Sequence, residues 1–216
     1  AVSDSFIPDG DDTAAGLFAL RASGRVVDPG AMKRFEKDGH VFTWSHELQP
    51  SITVNARAIH ALALFGEDVS APRRFILERQ QPDGRWSGDK WNCSWVYTTA
   101  HALLALGAHR DVSSVQGGVG ALIAAQYADG GWGAGKVASS IETAWCALAL
   151  RSVLAAGVRC VGLASALQRA YGFLLARYTP FRPSTTRWWL AKETFGTTRL
   201  DRVIELAAML ALCLDR

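Results

Sequence analysis

Two short stretches, "QQPDGRW" and "QYADGGW", repeat the pattern Gln-x3-Gly-x-Trp. Gln80, Gly84 and Trp86 form the first and Gln126, Gly130 and Trp132 the second, 46 positions further on. A decayed copy, "FEKDGHVFTW", puts Gly39 45 positions ahead of Gly84. A recurring spacing of this length marks a chain built from stacked copies of one supersecondary unit. The apolar segments lying between these turns resemble one another as well: "DTAAGLFAL", "VNARAIHALAL", "YTTAHALLAL" and "IETAWCALAL". Aligning Thr13, Asn55, Thr99 and Thr143 gives steps of 42, 44 and 44. In each, a polar residue is followed by Ala and then by Leu and Ala at helical spacing, which predicts helices buried on most faces.

The intervening segments are more amphipathic: "DPGAMKRFEKDG", "SAPRRFILERQQPDG", "SVQGGVGALIAAQYADG" and "GLASALQRAYGFLLARY". They carry Asp, Ser or Pro near their starts, and several end in Asp-Gly, as helix boundaries do. No strand-like alternation competes with this pattern. The chain is therefore predicted to be all-α, a double ring with apolar helices inside and amphipathic helices outside. Such an α/α toroid leaves a central cavity lined by the N-terminal ends of its inner helices.

A single domain over residues 1–216 suits this length. With 49% hydrophobic and 20% charged residues, the composition is globular and not disordered. The net charge of +3 is spread among interspersed acids and bases, and no Lys/Arg block suggests a nucleic-acid groove. No uninterrupted apolar run reaches the ~18 residues of a spanning helix, and no signal peptide is visible. A chain that is not transmembrane and acts in the cytoplasm is expected. Cys93, Cys146, Cys160 and Cys213 lie far apart with no ligand spacing, so they read as small buried hydrophobes in a reducing compartment.

The densest acidic cluster, Asp9, Asp11 and Asp12 in "IPDGDDTAAGLFAL", stands at the mouth of the first apolar helix. Carboxylates this close cannot all ionise, so one is left protonated and able to give its proton to a weak base. Helix capping is the alternative, and it accounts for one or two of these aspartates but not three. "DDTAA" lacks the last acid of a metal-binding D-D-x-x-D motif. An EF-hand loop needs its Gly after the acids, and Gly10 precedes Asp11 and Asp12.

"DGDDTA" resembles the D-x-D-D-T-A motif of class II terpene cyclases, and the Gln-x3-Gly-x-Trp turns resemble their QW motifs. "SGDKWNCSWVYTTAHAL" is similar to the D-K-W-x-x-S-x-x-Y-x-T-A-H-A stretch of microbial class II diterpene cyclases of the copalyl diphosphate synthase type. "WWLAKETFGTTRLDRVIELAAMLAL" resembles their C-terminal segment, with Ala191 and Thr198 where Gly and Pro are usual. The resemblance covers nearly the whole chain in order. It implies a catalytic β domain, with a γ domain and a first β helix upstream of Ala1 in the full-length chain. It also implies an isomerase that protonates an isoprenoid diphosphate. For geranylgeranyl diphosphate the product is a bicyclic diphosphate of copalyl or rearranged type. Two alternatives stand beside this: a sesquiterpene cyclase on farnesyl diphosphate, and a non-catalytic α/α-toroid binding module.

By the same resemblance, Asp11 is the proton donor, Asp9 and Asp12 orient and reload it, and Asn55 hydrogen-bonds the donor carboxyl. The carbocation needs a wall that does not trap it, and aromatic faces supply one at about 0.5–2 kcal/mol each. Trp44, Trp91 and Tyr97 are the candidates, with Trp95 and Trp145 nearby; ordinary core packing is the alternative for each. Trp86 and Trp132 are read as structural. Lys90, Lys192 and Arg199 are candidate anchors for the diphosphate, and a solvated salt bridge is their alternative role. Mg2+ is expected on the diphosphate, with its protein ligands unknown. His46, His101 and Tyr97 lie near helix ends, but none is named as the terminating base.

Overall fold

In the computed structural model, which describes residues 7–107, 111–182 and 198–213, the helices run α1 (Gly10–Ala22), α2 (Ile52–Ala63), α3 (Ser70–Glu78), α4 (Trp95–Gly107), α5 (Val112–Ala124), α6 (Ser140–Ala155), α7 (Leu163–Arg177) and α8 (Thr198–Cys213). Asp9, Ser51 and Ser139 cap α1, α2 and α6. Each side chain accepts the N–H three residues on, at 2.7, 3.2 and 3.3 Å. These bonds satisfy donors that a first helical turn leaves open. Internal contacts divide the chain into two compact units, Ala1–Arg79 and Gln80–Arg216. A single domain is expected over 1–216, and the contacts fall into these two units.

In the first unit α1 packs on α2, and α2 on α3. The segment 28–39, predicted as an amphipathic helix, is something else. It forms a 3-10 helix (Pro29–Phe35) and then a hairpin of β1 (Glu36–Lys37) and β2 (His40–Val41), paired Glu36 to Val41 and Lys37 to His40. The cause is the dipeptide between the strands. Asp38 and Gly39 both take positive φ, 52° and 76°, as a two-residue hairpin turn requires. An Asp-Gly pair ends a helix or turns a hairpin, and here it turns a hairpin. Helix α1 is also less enclosed than its apolar sequence suggests. Only Gly10, Ala14 and Leu17 are buried, and Leu20 is 44% exposed.

In the second unit α4 packs on α6, and α6 on α7 and α8. Nearly every residue of α4 is buried, which an apolar helix requires when neighbours cover it. The two Gln-x3-Gly-x-Trp turns tie this unit together in the same way twice. Gln80 Nε2 donates to the carbonyls of Gly84 and Ser114 at 3.0 and 2.8 Å; Gln126 Nε2 donates to Gly130 and Ala166 at 2.8 and 2.9 Å. Gly84 and Gly130 adopt φ of 84° and 91°, and a Cβ on either would lie 2.4 or 2.6 Å from a neighbouring backbone oxygen. Only glycine fits both constraints. Trp86 and Trp132 are wholly buried, consistent with a structural role.

Each Trp is then clasped by the Thr that the repeat aligns. Thr99 Oγ1 accepts the Trp86 N–H at 3.0 Å and donates to its carbonyl at 3.2 Å. Thr143 Oγ1 accepts the Trp132 N–H at 2.8 Å and lies 3.3 Å from its carbonyl. Among the described residues, no helix is long and apolar enough to cross a membrane. The cysteines depart from expectation: Cys146 is buried, but Cys93 in the loop before α4 and Cys213 in the last turn of α8 are exposed. Burial, and then the neighbouring Glu142 charge, holds the Cys146 thiol well above its ordinary pKa.

Candidate active site

The acidic cluster sits where α1 begins, and packing sets its spelling. Gly10 donates its N–H to the Thr43 carbonyl at 2.8 Å. A Cβ at Gly10 would stand 2.2 Å from the Phe42 carbonyl oxygen, so the residue between the first two aspartates has to be glycine. The three carboxylates then separate in role. Asp9 is buried and spends Oδ1 on the Asp12 N–H as the helix cap. Asp12 is exposed, where water screens its charge. Asp11 lies between these extremes. Its Oδ2 contacts Nη1 of Arg57 at 2.6 Å, and its Oδ1 is buried without a hydrogen-bond partner.

Asn55 has different partners from those expected. Its Nδ2 donates to the carbonyls of Val41 and Ser51, both at 2.8 Å, and its Oδ1 accepts the Val41 N–H at 2.9 Å. The amide is therefore committed to backbone, and Arg57 is the residue that reaches Asp11. Asn55 grips both backbone groups of Val41 much as Thr99 grips Trp86 and Thr143 grips Trp132. The repeat alignment of these three positions is a shared clasp between a turn and the next helix. Asn55→Ala is expected to cost about 3 kcal/mol of stability, because it leaves buried backbone groups unpaired. Asn55→Thr should recover part of that loss. Urea unfolding of the three proteins checks both.

Trp44 is half-buried and lines a cleft of about 680 Å³ with Ile7, Pro8, Arg34, Phe35 and His46, beside the start of α1. Asp11 is not among the residues lining this cleft. Lys90 and Trp91, in the second unit, are brought together, with Nζ 5.3 Å from the ring centroid. Tyr97, expected to line a pocket, is fully enclosed in the core instead. Its ring packs on His101 at 4.2 Å and on Trp145 at 5.7 Å. The Trp95 ring is covered by the Arg85 guanidinium at 4.2 Å. Arg199 is exposed in the first turn of α8, and Lys192 lies outside the described residues. Among the described residues, no group of three or more His, Cys, Asp or Glu is placed to hold a metal ion.

Sequence reasoning missed two polar centres. Arg57 is one, and it had a signal: a single arginine inside "VNARAIHALAL" needs an anion if its helix is buried. Glu142 is the other. It is buried and accepts from the hydroxyls of Ser94 and Ser139, both at 2.6 Å, and from the Ala134 N–H at 2.9 Å. The signal there was "SSIE", a Ser with Glu three residues later at a helix start.

Residues 47–177 match the family model described as squalene-hopene cyclase C-terminal domain. The chain belongs to that family, the class II terpene cyclases. Its relatives include (+)-kolavenyl diphosphate synthase of Herpetosiphon aurantiacus, 44% identical over 98% of this chain and 41% of that protein. A type B diterpene cyclase of Mycobacterium tuberculosis is 31% identical over 95% of this chain and 41% of its own length. The solved ent-copalyl diphosphate synthase of Streptomyces platensis superposes with a TM-score of 0.85 at 29% identity, over 98% of this chain and 43% of that one. The fold class is accordingly the α/α toroid of these terpene cyclases. The chain spans about two fifths of the length of each of these three relatives.

Proposed function

We propose that this chain is the β domain of a class II diterpene cyclase that converts geranylgeranyl diphosphate to a bicyclic diphosphate of copalyl or rearranged type. The observation that carries the reading is Asp11, whose two carboxyl oxygens are unlike: one is held by Arg57 and the other is buried and unpartnered. A carboxyl oxygen shielded from water at the mouth of an apolar helix suits an alkene, which is a very weak base. The names of the relatives, kolavenyl diphosphate synthase and copalyl diphosphate synthase among them, support a product that retains its diphosphate.

In this reading Asp11 protonates the terminal alkene, and two rings close onto the resulting cation. Loss of a proton then ends the reaction, so the diphosphate is never cleaved. Asp9 holds the first turn of α1, and Asp12, facing water, lies on the path by which Asp11 is reloaded. Lys90, with Trp91 beneath it, is a candidate anchor for the diphosphate, and Lys192 and Arg199 are further ones. Trp44, beside the start of α1, is a candidate wall for the apolar chain. Mg2+ would accompany the diphosphate; the described residues supply no carboxylate cage for it, and no step here depends on it. The γ domain of the full-length chain would complete the pocket, and the enzyme would act in the cytoplasm.

The test is to incubate the full-length product of the encoding gene with geranylgeranyl and farnesyl diphosphates, then analyse the products after phosphatase treatment. A bicyclic C20 alcohol is expected from the first. Turnover of farnesyl diphosphate alone, to a drimenyl-type alcohol, would replace this reading with a sesquiterpene cyclase. Consumption of neither would leave the binding module.

A further inference from the structure

The contact between Arg57 and Asp11 joins α2 to α1 across 46 residues of sequence, and both side chains are partly buried, 22% and 20% exposed. A guanidinium offers donors only. The oxygen it touches is therefore used as an acceptor, and a proton carried by Asp11 belongs on the other oxygen. That other oxygen, Oδ1, is the buried and unpartnered one. A hydroxyl there is spent on no acceptor in the protein.

We propose that Arg57 is the positioning residue for the acid, holding Oδ2 so that Oδ1 carries the proton and delivers it. This rests on the cyclase reading above. In the step, the Oδ1–H bond breaks and its electron pair stays on Asp11. The π pair of the alkene forms the new C–H bond, and the positive charge passes to the more substituted carbon. The carboxylate left behind is already in contact with a cation. A hydrogen bond between two charged groups is stronger than one between a cation and a neutral carboxyl. The Arg57 contact therefore tightens as the proton leaves, so it stabilises the transition state more than the bound substrate. Its effect belongs in kcat and not in KM.

The bland alternative is a salt bridge that only fastens α1 to α2. Three variants of the full-length gene product separate the two: Arg57→Gln, Arg57→Lys and Arg57→Ala. Turnover of geranylgeranyl diphosphate by the unaltered protein is the reference, and its absence would end the cyclase reading itself. With that turnover present, Arg57→Gln is expected to lower kcat about 10- to 100-fold with KM within about twofold. Arg57→Lys should regain part of kcat, and added guanidinium ion should raise kcat of Arg57→Ala. Thermal unfolding of each variant is followed alongside; if Arg57→Gln does not fold, Arg57→Lys and the guanidinium rescue carry the test. An unchanged kcat in Arg57→Gln would overturn the proposal. So would a loss that tracks the unfolding temperature and that neither Lys nor guanidinium restores.

Discussion

Asp11→Asn is expected to lower kcat of the full-length gene product by about 10^4-fold, at the upper end of what a positioned acid contributes. The replacement is nearly isosteric. An asparagine oxygen can still accept from Arg57, so the geometry of α1 and α2 survives while the transferable proton is gone. The Arg57 contact is only partly buried, with side chains 22% and 20% exposed, so weakening it changes stability little. Tm should therefore stay within about 2 °C of the unaltered protein, a change below 1 kcal/mol. Product analysis and a thermal melt on the same preparation check both halves. Retained cyclisation in Asp11→Asn would remove the acid from the mechanism, and with it the reading of the site.

Trp132→Ala should produce the largest loss of stability, about 4 kcal/mol, as expected for truncating a fully buried indole. Two costs combine. The cavity cannot close, because Trp132 has no exposed surface and is enclosed by its neighbours. The Leu122 carbonyl also loses the Nε1–H that it accepts at 2.7 Å. Trp132→Phe restores most of the volume but not that donor, so it should fall between the two. Urea midpoints of the three proteins order them. A loss below about 1 kcal/mol for Trp132→Ala would mean that the repeated turn does not hold its neighbouring helices.

Much of the fold could be read from the repeat. Helices α4 and α6 lie where "YTTAHALLAL" and "IETAWCALAL" place them, since periodicity and burial agree there. The hairpin at Glu36–Val41 could not be read, because "EKDGHV" is short and its Asp-Gly serves a helix end and a two-residue turn equally. Asn55 was harder. Its amide can orient a carboxyl or clasp a strand, and only the placement of Val41 beside it decides between the two. The acidic cluster at the start of α1 was visible in the sequence, and its unlike partners appear only in the structure. That the two Asp11 oxygens differ could not be read, because the difference comes from a guanidinium 46 residues away.

The clasps at Asn55, Thr99 and Thr143 each close a loop of only 14, 13 or 11 residues. The entropy lost in closing so short a segment is small and is recovered within the same module. Each turn can therefore lock onto its own helix before any distant partner arrives, and a nascent chain can acquire native hydrogen bonds one repeat at a time. Lengthening the segment between a clasp and its turn should slow folding more than inserting the same residues between repeats.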